Sequence, residues 1–217
     1  MKHYQSIPHA RKSPCMNRKC YGFVKYDGSN LRFEWSSKRG WYKFGTRKLL
    51  FDRTSAQFGS AIDLFLNKYG SPLEQIFRTH KGLRNTQQAI VFCEWFGSKS
   101  FAGWHEPGDP KTIVLFDVNI HKKGMLGPKE FLDTFGHLEV AECLWTGHVD
   151  ETLLEDVRLG LMDVASKYAI RTAIPEGLVF KSGNKHDLWM AKAKTQMWFD
   201  ELKKRHPIDW EKIEEMV

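Results

Sequence analysis

No aspartate or glutamate precedes Asp27, although Lys2, Arg11, Lys12, Arg18, Lys19 and Lys25 all do. The whole chain of 217 residues keeps that sign, with a net charge of +7, so an anionic partner is expected. Nowhere is there a run of the roughly 18–20 apolar residues that spans a bilayer. No apolar stretch follows Lys2 as it would in a secretory leader. These absences argue against a membrane partner, and the chain is expected to be soluble and cytoplasmic. Cysteine is scarce: Cys15, Cys20, Cys93 and Cys143 do not make a disulfide scaffold in a chain this long. Cys15 and Cys20, with His3 and His9 nearby, offer half of a zinc site, but no second Cys/His pair follows and a structural metal is not expected. Internal repeats and low-complexity tracts are also missing.

The residues that are present suit one domain, or one with a small appendage. A hydrophobic fraction of 41% is enough for a real core at this length. Residues 1–20 read as an irregular basic arm, with Pro8 and Pro14 blocking regular structure. Strands are predicted at Tyr21–Lys25 and Leu31–Ser36, hinged at Gly28, and at Ile90–Phe96 and Ile113–Asn119. Two more, Gly177–Lys181 and Trp189–Lys194, flank a turn near Gly183-Asn184. Helical spacing covers Ala61–Lys68 and Pro72–Phe77, with Gly70 between them as a stop, and Pro128–Phe135. A longer helix is predicted from an Asp150 cap through Tyr168, then Gln196–Arg205 and an amphipathic turn or two at Trp210–Met216. Gly97–Pro110 reads as a long loop. Strands with interspersed helices and no repeated βαβ unit predict an α+β fold on largely antiparallel sheet. Lys38, Arg39, Lys43, Arg47 and Lys48 are interleaved with Trp35, Trp41, Tyr42 and Phe44. That mixture suits a nucleic-acid surface, where phosphates meet cations and bases stack; a solvated basic face over buried aromatics is the alternative.

Chemistry enters with Lys25-Tyr26-Asp27-Gly28-Ser29-Asn30. A lysine at a strand end can attack a phosphoanhydride once it has lost its proton, although Asp-Gly after a lysine also makes an ordinary charged turn. Five further segments follow: Ser37-Lys38-Arg39-Gly40, Val91-Phe92-Cys93-Glu94-Trp95-Phe96-Gly97, Ile113-Val114-Leu115-Phe116-Asp117-Val118, Glu176-Gly177-Leu178-Val179-Phe180-Lys181 and Trp189-Met190-Ala191-Lys192-Ala193-Lys194. In order and approximate spacing they resemble the signature motifs of the covalent nucleotidyltransferases, the ATP-dependent DNA and RNA ligases and mRNA-capping enzymes. The resemblance runs from Lys25 to Lys194. It implies an α+β, ATP-grasp-like nucleotidyltransferase (adenylation) domain, with largely antiparallel sheets and flanking helices. Residues 1–194, the basic arm 1–20 included, would form that domain, and 195–217 a short C-terminal helical tail.

The implied activity is attack by Lys25 on the α-phosphate of ATP, with loss of pyrophosphate and AMP left on the lysine. The AMP passes to a 5′-phosphate, which a 3′-hydroxyl then attacks. A nucleophilic lysine must be neutral, yet free lysine titrates near pH ~10.4, so neighbouring cations are needed to lower that value. Lys192, Lys194 and a bound Mg²⁺ (or Mn²⁺) are the candidates, and the same lysines suit charge building on the phosphate. Two apart on a strand, Lys192 and Lys194 point to one face; alone they read as an exposed strand face. By resemblance Glu176 holds the metal. Glu94, an acid oddly placed among aromatics, would by resemblance meet the ribose and help the metal. Phe116 stacks on adenine or is a plain core aromatic. By the same resemblance Asn30 and Arg39 would contact the nucleotide and the 5′-phosphate end, Arg39 otherwise being one more member of the basic run, and Asp27 is the motif's acid and a turn former.

Many DNA ligases carry arginine where this chain has Asn30, and the asparagine form resembles RNA ligases of the nick-sealing, RNA-repair branch. Ile7-Pro8-His9 is similar to segments preceding the lysine in that branch. The expected substrate is RNA with 5′-phosphate and 3′-hydroxyl ends, a nicked duplex being one form of it. A minimal DNA ligase is the alternative, with a capping enzyme behind it. A non-catalytic nucleic-acid-binding protein on a ligase fold is the reading of another class, and retention of Lys25, Glu94, Glu176, Lys192 and Lys194 argues against it. Only Thr195–Val217 follow the last motif, too few for the OB barrel of DNA ligases. Trp198 and Leu202, at i,i+4, are expected to pack the tail helix on the catalytic domain.

Overall fold

The computed structural model describes residues 4–13, 15, 18–98, 108–160 and 176–212. Its strands are β1 (Cys20–Lys25), β2 (Ser29–Ser36), β3 (Gly40–Thr46), β4 (Leu50–Phe51), β5 (Gln88–Phe96), β6 (Thr112–Ile120), β7 (Gly124–Met125), β8 (Cys143–Gly147), β9 (Gly177–Ser182) and β10 (Trp189–Lys194). Its helices are α1 (Gly59–Phe65), α2 (Ser71–Thr79), α3 (Pro128–Phe135), α4 (Glu151–Leu159) and α5 (Gln196–Arg205). Among the described residues no helix is long and apolar enough to cross a membrane. The chain divides into two compact units: Met1–Gln5, Asn30–Trp95 and Thr112–Val140 form the first, and Ser6–Ser29, Phe96–Lys111 and Ala141–Val217 the second.

The first unit is built on a six-stranded sheet of order β4-β3-β2-β5-β6-β7. In β2 the alternation Leu31-Arg32-Phe33-Glu34-Trp35-Ser36 sends three apolar side chains to one face. There Phe33 stacks on Phe65 of α1 at 3.7 Å and Trp35 meets Phe77 of α2 at 5.1 Å. Period-2 alternation predicts a wet second face, yet Arg32, Glu34 and Ser36 are buried too. Lys43 reaches Glu34 at 3.4 Å, and Tyr42 donates its hydroxyl to the same carboxylate at 3.4 Å. Burial lowers the Arg32 pKa against the opposing pull of Glu34.

Gly70 does not stop the first helical segment. It stays right-handed, and a π turn, Leu66–Gly70, carries α1 into α2. A π turn frees backbone carbonyls; here Trp41 Nε1 donates to the Gly70 carbonyl at 3.0 Å. Local pattern does not predict β3, because Lys43 interrupts its aromatic run and masks the pleat.

The second unit holds an antiparallel four-stranded sheet, β10-β9-β1-β8. α4 covers one face, with Leu153, Leu154 and Val157 against Leu178, Phe180, Ala191 and Ala193. Asp150 caps that helix at the Leu153 N–H, 2.8 Å away. The helix ends earlier than predicted: Gly160, at φ 71°, makes a left-handed cap whose N–H returns to Asp156 and Val157. Residues 161–168 of the predicted helix lie outside the described residues, as do 99–107 of the predicted loop and 213–216 of the last predicted turn.

The basic arm is less irregular than its prolines imply. Lys192 N–H donates to the Pro8 carbonyl at 2.8 Å, and His9 forms a parallel bridge with Lys192, so the arm covers the free edge of β10. Arg11 pairs with Glu151 at 3.1 Å and Glu155 at 3.2 Å, and Arg18 with Asp187 at 2.8 Å. Two of the arm's cations are thus matched within their own unit. Cys15 and Cys20 are free thiols with sulfurs 3.3 Å apart.

Candidate active site

β9 lies between β1 and β10, and their antiparallel registers place Gly177 opposite both Lys25 and Lys194. Lys25 is the last residue of β1, Lys194 the last of β10, and Glu176 immediately precedes β9. Three strand ends therefore deliver one carboxylate and two ammonium groups to one place. Lys25 Nζ lies 2.6 Å from Glu176 Oε2, and Lys194 Nζ 3.0 Å from Oε1. Glu176 and Lys194 are fully buried, while the Lys25 side chain keeps 12% exposure. Burial by itself raises the Glu176 pKa; Lys25 and Lys194 outweigh it and hold the carboxyl below its ordinary value.

The row tolerates no side chain at position 177. Gly177 has φ +148°, and a Cβ there would sit 2.0 Å from the Ala193 carbonyl oxygen. The same close approach lets Thr195 N–H donate to the Glu176 carbonyl at 2.9 Å, tying the end of β10 to the acid. Beyond β10, Thr195 caps α5 through the Trp198 N–H at 3.1 Å, and the Trp198 ring lies 3.9 Å from Lys194 Nζ. Trp198 and Leu202 are fully buried, as their spacing predicts.

β1 and β2 do not pair with each other; they belong to different sheets. Asp27-Gly28 is consequently no hairpin tip, and Asp27 is buried at 5% exposure rather than solvated. Tyr26 stacks on Phe96 at 4.8 Å. Lys192 stands opposite Val179, two positions from Lys194, half-buried.

In the first unit Asn30 stands near the start of β2, and Arg39 is exposed at the β2–β3 turn with its guanidinium 5.6 Å from the Tyr42 ring. Glu94 is half-buried on β5, and its charge helps to raise the pKa of the neighbouring Cys93 thiol, behind the larger effect of burial. Phe116 on β6 is half-buried, 5.1 Å from the ring of Tyr4. Tyr4 is a residue that sequence reasoning missed. Its hydroxyl donates to Asp117 at 2.5 Å across 113 positions, and burial followed by Asp117 pushes its pKa well above the usual value. No local pattern signals such a contact.

The profile of the RNA ligase family matches residues 18–199. The chain belongs to the RNA ligase family. An RNA ligase of Naegleria gruberi, solved as a variant with AMP and Mn, superposes on this family member with a TM-score of 0.67 at 13% identity, covering 93% of this chain and 58% of that one. The same organism's ligase solved with pyrophosphate gives 0.64 at 16% identity, covering 94% and 59%. An archaeal ATP-dependent RNA ligase gives 0.66 at 14% identity, covering 95% and 52%. At these identities the likeness shows a shared fold. This family member spans a little over half the length of the structures it matches. No curated protein sequence matches it.

Two ammonium groups around one carboxylate leave a net positive charge, which suits a phosphate. A divalent ion fits less simply. Both Glu176 oxygens are engaged by ammonium groups, so an ion reaches this carboxylate only by displacing one. Among the described residues no three His, Cys, Asp or Glu side chains cluster as a metal site.

Proposed function

We propose that the chain is an ATP-dependent RNA ligase joining 5′-phosphate to 3′-hydroxyl ends through a lysyl-AMP intermediate and an adenylated strand. The Lys25–Glu176–Lys194 row carries the proposal. Lys25 gives up a proton, for which Glu176 Oε2 is an acceptor 2.6 Å away, and its nitrogen attacks the α-phosphorus. The bond to the β-phosphate breaks and pyrophosphate leaves. Lys194, held rigid by Glu176 and the Trp198 ring, stabilises the negative charge that builds on the α-phosphate. Lys192 supports it, Glu94 and Asn30 bind the nucleotide, Phe116 stacks on adenine, and Arg39 meets the 5′-phosphate end. Asp27, buried two residues after the nucleophile, fixes the bend that follows β1. A divalent ion, Mg²⁺ or Mn²⁺, would screen the phosphate charges; Glu176 would hold it on releasing one of its ammonium partners, and Glu94 is the candidate carboxylate of the first unit. A cytoplasmic location belongs to the proposal, since the reaction draws on ATP.

Incubation with ATP and Mg²⁺ should add the mass of one AMP to the protein, and Lys25→Ala should abolish the gain. Absence of the adduct in the wild-type protein, together with no AMP transfer from a pre-adenylated strand, would overturn the ligase reading. Nicked duplexes differing only in the 3′-hydroxyl strand test the substrate: equal sealing of RNA and DNA would remove the RNA preference.

A further inference from the structure

The first unit carries a cavity of about 600 Å³ at one end of its six-stranded sheet. Three separate stretches build it: the β2–β3 turn, the start of β5 with the residues before it, and the turn after β6. Backbone bonds pin them together. Ser37 N–H donates to the Gln87 carbonyl at 3.0 Å, and His121 N–H to the Gln88 carbonyl at 3.0 Å. The cavity is therefore preorganised, not a gap between loose loops.

Its charge is one-sided. Lys38, Arg39 and Lys122 line it, and no carboxylate does. All three are exposed, and none forms a salt bridge among the described residues, in contrast to Lys43, which meets Glu34 at 3.4 Å. The Tyr42 ring, 5.6 Å from Arg39, and the Ser36 hydroxyl, which accepts from Arg39 N–H at 3.1 Å, fix the position of that arginine. Lys122 holds a left-handed φ of 66°, rare for a residue with a side chain. The remaining wall is rich in amides, Asn85, Gln87 and Gln88, which offer both donors and acceptors. A second cavity of about 330 Å³ shares Tyr42, Gln88, His121 and Lys122 with the first; its one acid, Glu34, is buried and paired with Lys43.

We infer that this cavity seats the phosphodiester backbone of an RNA strand, with Lys38 and Lys122 on phosphates in addition to Arg39, and the amides on sugar hydroxyls and base edges. The inference rests on the ligase reading for the identity of the strand. Fixed cations without acidic partners attract a polyanion, and amide groups suit the 2′-hydroxyl. A small apolar ligand finds little to bury against here.

The test measures binding of a short 5′-phosphorylated single-stranded RNA to the full chain, without ATP, across a range of salt. The variants are Lys38→Gln, Lys122→Gln and the pair together, with Lys122→Arg as the charge-preserving control. Each Gln variant should weaken binding at low salt, and the plot of log affinity against log salt should flatten by about 0.7 for each phosphate no longer neutralised. Lys122→Arg should keep the wild-type slope. Unchanged affinity and slope in the double variant would overturn the inference. So would full displacement of the RNA by inorganic pyrophosphate at matched phosphate concentration, which would assign the cavity to a free anion. Wild-type AMP adduct formation is read alongside. An adduct with no loss of RNA affinity in the double variant sinks this inference alone. Charge-dependent RNA binding with neither an adduct nor AMP transfer from a pre-adenylated strand sinks the ligase reading alone.

Discussion

Lys25 and Lys194 in the second unit differ from Lys38, Arg39 and Lys122 in the first by what surrounds them. The first pair is mostly or wholly out of water, shares one fully buried carboxylate and is held by strand register. The second set is exposed and faces a cavity with no acid. Buried charges interact strongly and cannot lose a partner cheaply, whereas exposed ones act at longer range and fade with salt. The same residue type thus serves fixed chemistry in one place and adjustable attraction in another.

The largest effect should come from breaking the buried row. Glu176→Gln leaves the Lys194 ammonium inside the protein without its carboxylate, and should cost about 3–5 kcal/mol in denaturant unfolding. A Glu176→Gln/Lys194→Met pair should recover part of that loss, and no recovery would show that the two charges are not coupled. The pH dependence has a definite sign. The Glu176 carboxyl is held below its ordinary value of 4.5, so its contribution is complete above that pH and is lost as pH falls through the folded value. An acid titration of stability should show that loss in the wild-type protein, and Glu176→Gln should lack this component.

Gly177→Ala should come next. Its Cβ meets backbone, the Ala193 carbonyl at 2.0 Å, which cannot rotate away. Overpacking of this kind costs roughly 1–3 kcal/mol, and AMP adduct formation should fall with it because Glu176 must move. A variant as stable and active as the wild-type protein would mean that the strand row is not rigid. The smallest change should follow Glu155→Gln. The Arg158 guanidinium holds that carboxyl down to about 2 against the cost of desolvation, with Arg11 helping, but the pair lies at the surface. Thermal midpoints should scarcely move; a large drop would show that the N-terminal arm depends on its ion pairs.

Much of this was legible locally. α3 and α5 have the predicted bounds, and β1, β5, β6, β9 and β10 lie within a residue or two of theirs, because apolar periodicity and Pro, Gly and Thr punctuation act over a few residues. Gly70 misled because glycine ends a helix only when its backbone turns left-handed, and here a π turn and Trp41 keep it in line. Tyr4 was invisible because its partners, Asp117, Phe92 and Phe116, are all distant in sequence.

By itself the sequence determined the strand ending in Lys25, the ordered motifs that follow it and the excess of positive charge. Tertiary structure alone decided that β9 runs between β1 and β10, which joins Lys25 to an acid 151 positions away and buries the pair. It also decided that residues 36–42, 85–88 and 121–122 close around one cation-lined cavity. Local preference sets each element, but strand order and burial follow from many long-range contacts made at once, and no short segment encodes them.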